Sequence, residues 1–314
     1  ITISLIWFYT YRSGMKTIIW TDTLQTTFML LTVFIIGYTL MKQMGLNLSG
    51  LISTISASEY SKVFFFEDWS DKKHFFKQFL SGVFMAIVMT GLDQDQMQKN
   101  LSCRNLKDAQ KNMTVFSVIL IFVDLIFLCL GALLYIYSDS FNIIIPADAD
   151  MLFPHIAIAS GLPNYVGILF IVGIIAAAYS SADSALTSLT TSFCVDIIEF
   201  EKQDEKKQIQ TRKYSHLFMS VILFSVIMIF HTINNQSVIK SLFTVAGYTY
   251  GPLLGMFSFG MFTKFKVKDR LVPWIAILSP VFCYILNLYI PFGFELLILN
   301  GILTFIGLFL IRKN

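Results

Sequence analysis

The chain has 314 residues, of which 55% are hydrophobic and only 14% charged, with a formal net charge of +3. A soluble domain carries about a quarter of its residues as Asp, Glu, Lys and Arg, so this composition excludes an ordinary soluble globule. Apolar runs of about 18 residues or more recur along the whole length, the pattern of an integral membrane protein, and the small positive balance gives no hint of a nucleic-acid partner.

The first residues, 1–10, read as the end of a helix entered in mid-course, because neither a methionine nor a basic segment precedes the apolar ones. Eight spans follow, at 17–41, 79–97, 113–137, 165–191, 214–232, 238–262, 271–289 and 295–311. Most approach the roughly 20 residues that a helix needs to cross hydrocarbon. Barrel strands would be about 10 residues long and alternating, and no alternation is present. The expected fold class is therefore all-α and polytopic. Lys and Arg set the orientation. Arg12 and Lys16, the stretches 99–111, 202–213 and 264–270, and Arg312 with Lys313 hold most of the 23 basic residues, which places these loops in the cytoplasm. Lys42, Lys62, Lys72, Lys73, Lys77 and Lys240 fall on the other side. The run "EFEKQDEKKQIQTRK" at 199–213 reads as a solvated cytoplasmic loop.

Polar residues inside the spans are the informative ones. Asp22 lies in "IIWTDTLQ", near the cytoplasmic end of its span, with Gln25 one turn on. It is either a solvated helix end or a pathway residue. In "TGLDQDQMQKNLSC", 90–103, a glycine followed by Asp93, Gln94 and Asp95 interrupts an apolar span. Such a break either ends the helix early or opens backbone to a solute, as in the discontinuous helices of transporters. Asp124, deep in "LIFVDLIFLCLG", reads equally as a buried hydrogen-bonded acid or as a pathway residue. In "AAAYSSADSALTSLTTS", 176–192, Ser180, Asp183, Ser184, Thr187, Ser188 and Thr191 recur at helical spacing on one face. Hydroxyls can serve packing alone. An aspartate there costs roughly 2.5–3.5 kcal/mol at a span's centre and must face protein, water or an ion. Hard cations take oxygen ligands, which this face supplies. In "AGYTYGPLLG", 246–255, Pro252 has no N–H for the carbonyl of Tyr248. The helix there is kinked, for packing or as a gate whose wall offers Tyr248 and Tyr250. The cysteines Cys103, Cys129, Cys194 and Cys283 and the histidines His74, His155, His216 and His231 are scattered without ligand spacing. With no nucleophile–base pair visible either, an enzyme is not expected.

Three motifs together, "KTIIWTDTLQ" (16–25), "GLDQDQMQKNLSCRNLKDAQKNM" (91–113) and "AAAYSSADSALTSLTTSFCVDI" (176–197), closely resemble the sodium:solute symporter family, the sodium-coupled sugar, proline, pantothenate, sialate and iodide carriers. Their order and spacing match across essentially all of the chain. The resemblance implies a single membrane transporter domain with the leucine-transporter-like inverted-repeat fold, two five-helix repeats of opposite topology. On that plan 1–41 closes the first repeat, 79–262 is the second repeat and 271–311 supplies two accessory helices. Eight complete transmembrane helices and an N-terminal stub are then present, and the first four core helices lie outside the sequence, as in an N-terminally truncated member.

The resemblance also implies site residues. The backbone carbonyl of Ala177 and the hydroxyls of Ser180 and Ser181 match half of a sodium site. Asp22 matches an acid near the sodium path that in some members joins eighth-helix hydroxyls in a second site. Ser184 fits that set, while Asp183 stands where those members carry serine, so Asp22, Asp183 and Ser184 make a second sodium or a proton site. Asp93 and Gln94 align with a substrate-contacting region, with an acid where an amide commonly precedes the Gln; Tyr248 completes the expected solute site. The implied function is sodium-coupled import of a small organic solute, such as a sugar or an amino acid, by alternating access. Na+ is the coupling ion and the lipid bilayer of the cell membrane the setting. A membrane sensor or scaffold built on the same fold, without transport, is the alternative.

Overall fold

A computed structural model describes residues 15–233, 238–290 and 292–313; the stub expected at 1–10 lies outside the described residues. In chain order the helices are α1 (Met15–Gln43), α2 (Leu48–Ala57), α3 (Phe75–Gly91), α4 (Gln94–Leu101), α5 (Leu106–Ser140), α6 (Leu152–Ala159), α7 (Asn164–Ser192), α8 (Glu205–Ile233), α9 (Val238–Phe262), α10 (Val272–Tyr289) and α11 (Leu296–Leu310). Among the described residues no sheet forms; Val267 and Arg312 make an isolated bridge. The all-α expectation holds.

Among the described residues, five helical stretches are long and apolar enough to cross a membrane, and six if the pair α3–α4, bent by 55°, counts as one broken span. The chain is thus a multi-pass membrane protein. The two remaining expected spans fall short for identifiable reasons. The glycines, tyrosines and proline of 247–252 dilute the hydropathy of α9, and α11 has only 15 residues. Two helices are longer than expected. Asn105 caps α5, its side-chain oxygen accepting the N–H of Asp108 at 2.9 Å, so the helix starts well before 113. At 35 residues it extends about 50 Å. The charged run expected as a loop is largely the first turns of α8, since Glu, Lys and Gln are good helix formers.

The chain divides into two compact units, one made of residues 15–61 and 97–233, the other of 62–96, 238–290 and 292–313. In the first, α1 runs antiparallel to α7. Thr39 Oγ1 lies 3.0 Å from Tyr165 Oη, Thr32 Oγ1 donates to the carbonyl of Leu169 at 3.3 Å, and Ser180 bonds Asp22, so the numbers rise along one helix as they fall along the other. Val33, Ile36 and Leu40, on one stripe of α1, pack with Leu133 and Tyr137 of α5, Ile156 of α6, and Val166 and Phe170 of α7.

The second unit is built on α9 against α11. Gly251 and Gly255 leave no room for a side chain: a Cβ on either would come within 2.4–2.6 Å of Asn300, Gly301 or Thr304. The close approach also answers the proline inside α9. Pro252 withholds the N–H that the carbonyl of Tyr248 would receive in an ordinary helix. Asn300, fully buried, supplies the donor instead, its Nδ2 lying 3.0 Å from the Tyr248 carbonyl and 3.1 Å from that of Gly247. Ser279 of α10 donates to Asn300 Oδ1 at 2.5 Å, which fixes which end of the amide faces α9. A buried carbonyl left unpaired costs about 1–3 kcal/mol. Asn300→Leu should therefore lower the thermal-unfolding midpoint of the full-length protein in detergent. Pro252→Ala restores an N–H at the break and should recover part of that loss, a coupling of about 1 kcal/mol in the double-mutant cycle. Independent, additive effects of the two changes would show that Asn300 does not stand in for the missing bond.

Candidate functional site

In the first unit the polar residues of α1 and α7 meet inside apolar helices. The Ser180 hydroxyl donates to Asp22 Oδ1, and Lys99 Nζ, from α4, lies 3.1 Å from Asp22 Oδ2. The two charged side chains are only 20% and 27% exposed. Asp22 is therefore no solvated helix end. Ser180 uses its proton on Asp22 and keeps its oxygen lone pairs for another partner.

Ala177 stands about one turn before Ser180, and Ser181 follows it directly, on the same unbroken helix. Ala177 lines a cavity of about 280 Å³ together with Met29, Thr32, Phe127, Phe170 and Gly173. Asp150 is its one ionisable lining residue among those described. Ser181 is exposed. Asp183 (1% exposed) and Ser184 (6% exposed) are buried on the next turn, and the Ser184 hydroxyl has no partner among the described residues. The antiparallel register brings Gln25 to the level of Ala177, and Gln25 Oε1 is likewise buried without a partner there. All of these donors are carbonyl, hydroxyl, amide or carboxylate oxygens, which fits a hard monovalent cation.

In the second unit Asp93 explains the broken span. Its Oδ1 accepts the N–H groups of Asp95 (3.0 Å) and Gln96 (3.1 Å), capping α4 immediately after α3 has ended at Gly91. Its carboxylate also interacts with the Tyr250 hydroxyl of α9. Asp93 and Tyr250 thus come together. Gln94 is exposed at the start of α4. Tyr248 turns to the last helices: its hydroxyl accepts from Asn287 Nδ2 at 3.2 Å, and its ring lies 6.3 Å from that of Tyr284. Asp124 is exposed on α5.

Sequence reasoning missed Lys99, which it counted as one of the basic residues that set topology, and left Gln25 without a role. The signal for both was available in principle: each is a long polar side chain within a turn or two of a motif acid. Their partners, 77 residues apart in the chain for the Asp22–Lys99 pair, are set only by packing.

Apolar helices long enough to cross a membrane, with one broken span and with charge and hydroxyls gathered at helix contacts, are those of a multi-pass membrane protein. The model of the "sodium:solute symporter family" matches residues 1–269, and the chain belongs to this family. Its members are transporters, not enzymes, and the coupling ion of the family is sodium. Over the aligned parts the chain is 28% identical to the sodium-dependent multivitamin transporter of Oryctolagus cuniculus, covering 81% of this chain and 41% of that protein. It is 25% identical to the sodium/iodide cotransporter of Homo sapiens, covering 81% and 40%. With the sodium/sialic acid symporter of Aliivibrio fischeri it shares 24% identity, over 82% and 52%. The chain thus spans roughly half the length or less of these relatives. No solved structure matches it.

The cap at Asp93 is directly testable. Replacing an N-cap Asp by Ala costs about 1 kcal/mol, while Asn caps as well as Asp. Amide exchange at Asp95 and Gln96 should accelerate about fivefold in Asp93→Ala and stay near the parental rate in Asp93→Asn. Equal rates in all three proteins would remove Asp93 as the cap.

Proposed function

We propose that the full-length protein is a sodium-coupled symporter that imports a small organic solute by alternating access, built on the leucine-transporter-like inverted-repeat plan. Residues 1–41 then end the first repeat, 79–262 form the second and 271–311 add two accessory helices, with eight complete transmembrane helices in this part of the protein, α9 and α11 crossing despite their composition and length. The observation that carries the reading is the meeting of Asp22 and Ser180 within apolar helices of a chain that belongs to this family.

One sodium ion would take the Ala177 carbonyl and the Ser180 and Ser181 hydroxyls as part of its shell. Ser180 is held by Asp22, so its oxygen is already oriented when the ion arrives. Asp22, Asp183 and Ser184 supply a second cation position, for sodium or a proton. Solute would be met at Asp93 and Gln94, where the helix is broken, and at Tyr248, with Tyr250 holding the Asp93 carboxylate in place. The relatives are named for vitamins, iodide and sialic acid. An acid at position 93 repels a simple anion and favours a solute bearing hydroxyls or an amine. One positive charge entering down 100 mV contributes about 2.3 kcal/mol, enough to drive uphill uptake of a neutral solute.

Ligand binding to the native state alone raises stability by RT ln(1 + [L]/Kd), about 2.7 kcal/mol at a hundredfold excess over Kd. The full-length protein in detergent should therefore unfold at a higher temperature in sodium than in potassium at equal ionic strength. Ser180→Ala/Ser181→Ala should abolish the difference. Equal unfolding of the folded parent in the two salts would leave those hydroxyls as packing residues and favour a sensor or scaffold on the same fold. A solute whose binding adds to the sodium effect would name its class, and unchanged selectivity in Asp93→Asn would take Asp93 out of the solute site.

A further inference from the structure

The Asp22 carboxylate already has a cation. Lys99 Nζ is 3.1 Å from Oδ2 while Ser180 holds Oδ1. The ammonium reaches this place from α4, the eight-residue helix that starts at the Asp93 cap. With its charged side chains about four-fifths and three-quarters covered, the pair is not the solvent-exposed kind that contributes almost nothing. A bare carboxylate there would be an uncompensated charge within the span. A monovalent cation of either kind, ammonium or sodium, relieves the same cost at the same oxygen.

We propose that Lys99 is a tethered counter-cation that occupies the place at Asp22 which a second sodium ion would otherwise take, and so limits the number of sodium ions bound. The inference rests on reading Asp22 as a cation-binding acid. The ammonium is linked to the protein by its own side chain, so its local concentration is high and independent of the surrounding salt. Sodium at Asp22 must displace it, which requires Nζ to withdraw from Oδ2. The neighbouring turn of α7, with Ala177, Ser180 and Ser181, has no such competitor in contact with its hydroxyls among the bonds described, and it remains open to one ion. Lys99 is a specificity-determining residue in this account: it sets ion number without touching the solute.

The experiment is equilibrium binding of radiolabelled sodium to the purified full-length protein at pH 8, with potassium replacing sodium at constant ionic strength, counted per polypeptide. The parent should bind about one ion. Lys99→Met, which keeps the length of the side chain and removes its charge, should bind about two, and Lys99→Arg should bind as the parent does. Asp22→Asn/Lys99→Met should return the number to about one. The same ion number in Lys99→Met as in the parent would overturn the proposal, as would a second ion that survives in Asp22→Asn/Lys99→Met. Should Lys99→Met not fold, Lys99→Gln, alone and combined with Asp22→Asn, carries the test. A parent that binds no sodium would instead defeat the symporter reading itself, an outcome distinct from a parent that binds one ion and is indifferent to residue 99.

Discussion

Inside hydrocarbon there is no water to replace a hydrogen bond, so each polar group left open costs several kcal/mol. Three departures from a regular apolar helix are each met by a side chain placed to answer them. Pro252 opens the carbonyl of Tyr248, and the amide of Asn300 closes it. Gly91 ends α3, and Asp93 at once caps the next helix. Asp22 brings a negative charge into a span, and Ser180 and Lys99 meet it from two other helices. Breaks and charges are the features that a transporter needs and that a packed helix bundle disfavours. These three lie where two or three helices converge.

The two kinds of compensation differ in reversibility. Asn300 is fully buried and tied to three partners, the carbonyls of Gly247 and Tyr248 and the hydroxyl of Ser279. Releasing it would leave several groups open at once, so it acts as a fixed splint of α9. Asp22 is partly exposed and held by two single contacts, each of which has an alternative partner in water or a free ion. The same reasoning separates Tyr248 from Tyr250. The first is committed, by hydroxyl, carbonyl and ring, to the helices α10 and α11, whereas the second has its hydroxyl at the Asp93 carboxylate beside the break.

How far the sequence revealed this follows from the range of each interaction. The helical spacing of Ser180 and Ser184 and the break around Asp93 are local, and both were legible from neighbouring residues. The missing N–H of Pro252 was legible as an open carbonyl at Tyr248. Its remedy was not, because Asn300 lies 52 residues away in a helix whose apolar composition makes one Asn look incidental. Lys99 was masked by a rule that works well elsewhere: a basic residue at a span's end usually marks topology. Only the packing of α4 against α1 turns it into Asp22's partner. Charge also misled at 199–213, where Glu, Lys and Gln suggested solvent and solvent suggested loop. The same residues favour helix, and α8 begins at Glu205.

The carboxylate–ammonium pair has a further consequence for ion coupling. A site made of hydroxyl and carbonyl oxygens alone, like the turn around Ala177, carries no net charge, so filling it adds one positive charge to the span and emptying it removes one. A site at a carboxylate that always holds a cation stays neutral whether the cation is lysine or sodium. Exchange between the two therefore avoids the cost of a bare charge in a low-dielectric setting, provided one cation arrives as the other leaves. On the proposed reading, Ser180 of α7 serves the neutral site and also bonds Asp22 of α1, so the position of Lys99 would be coupled to the oxygen that faces the first ion. Withdrawal of the ammonium would free Asp22 to pull harder on the Ser180 proton, leaving the hydroxyl oxygen more electron-rich and a better ligand.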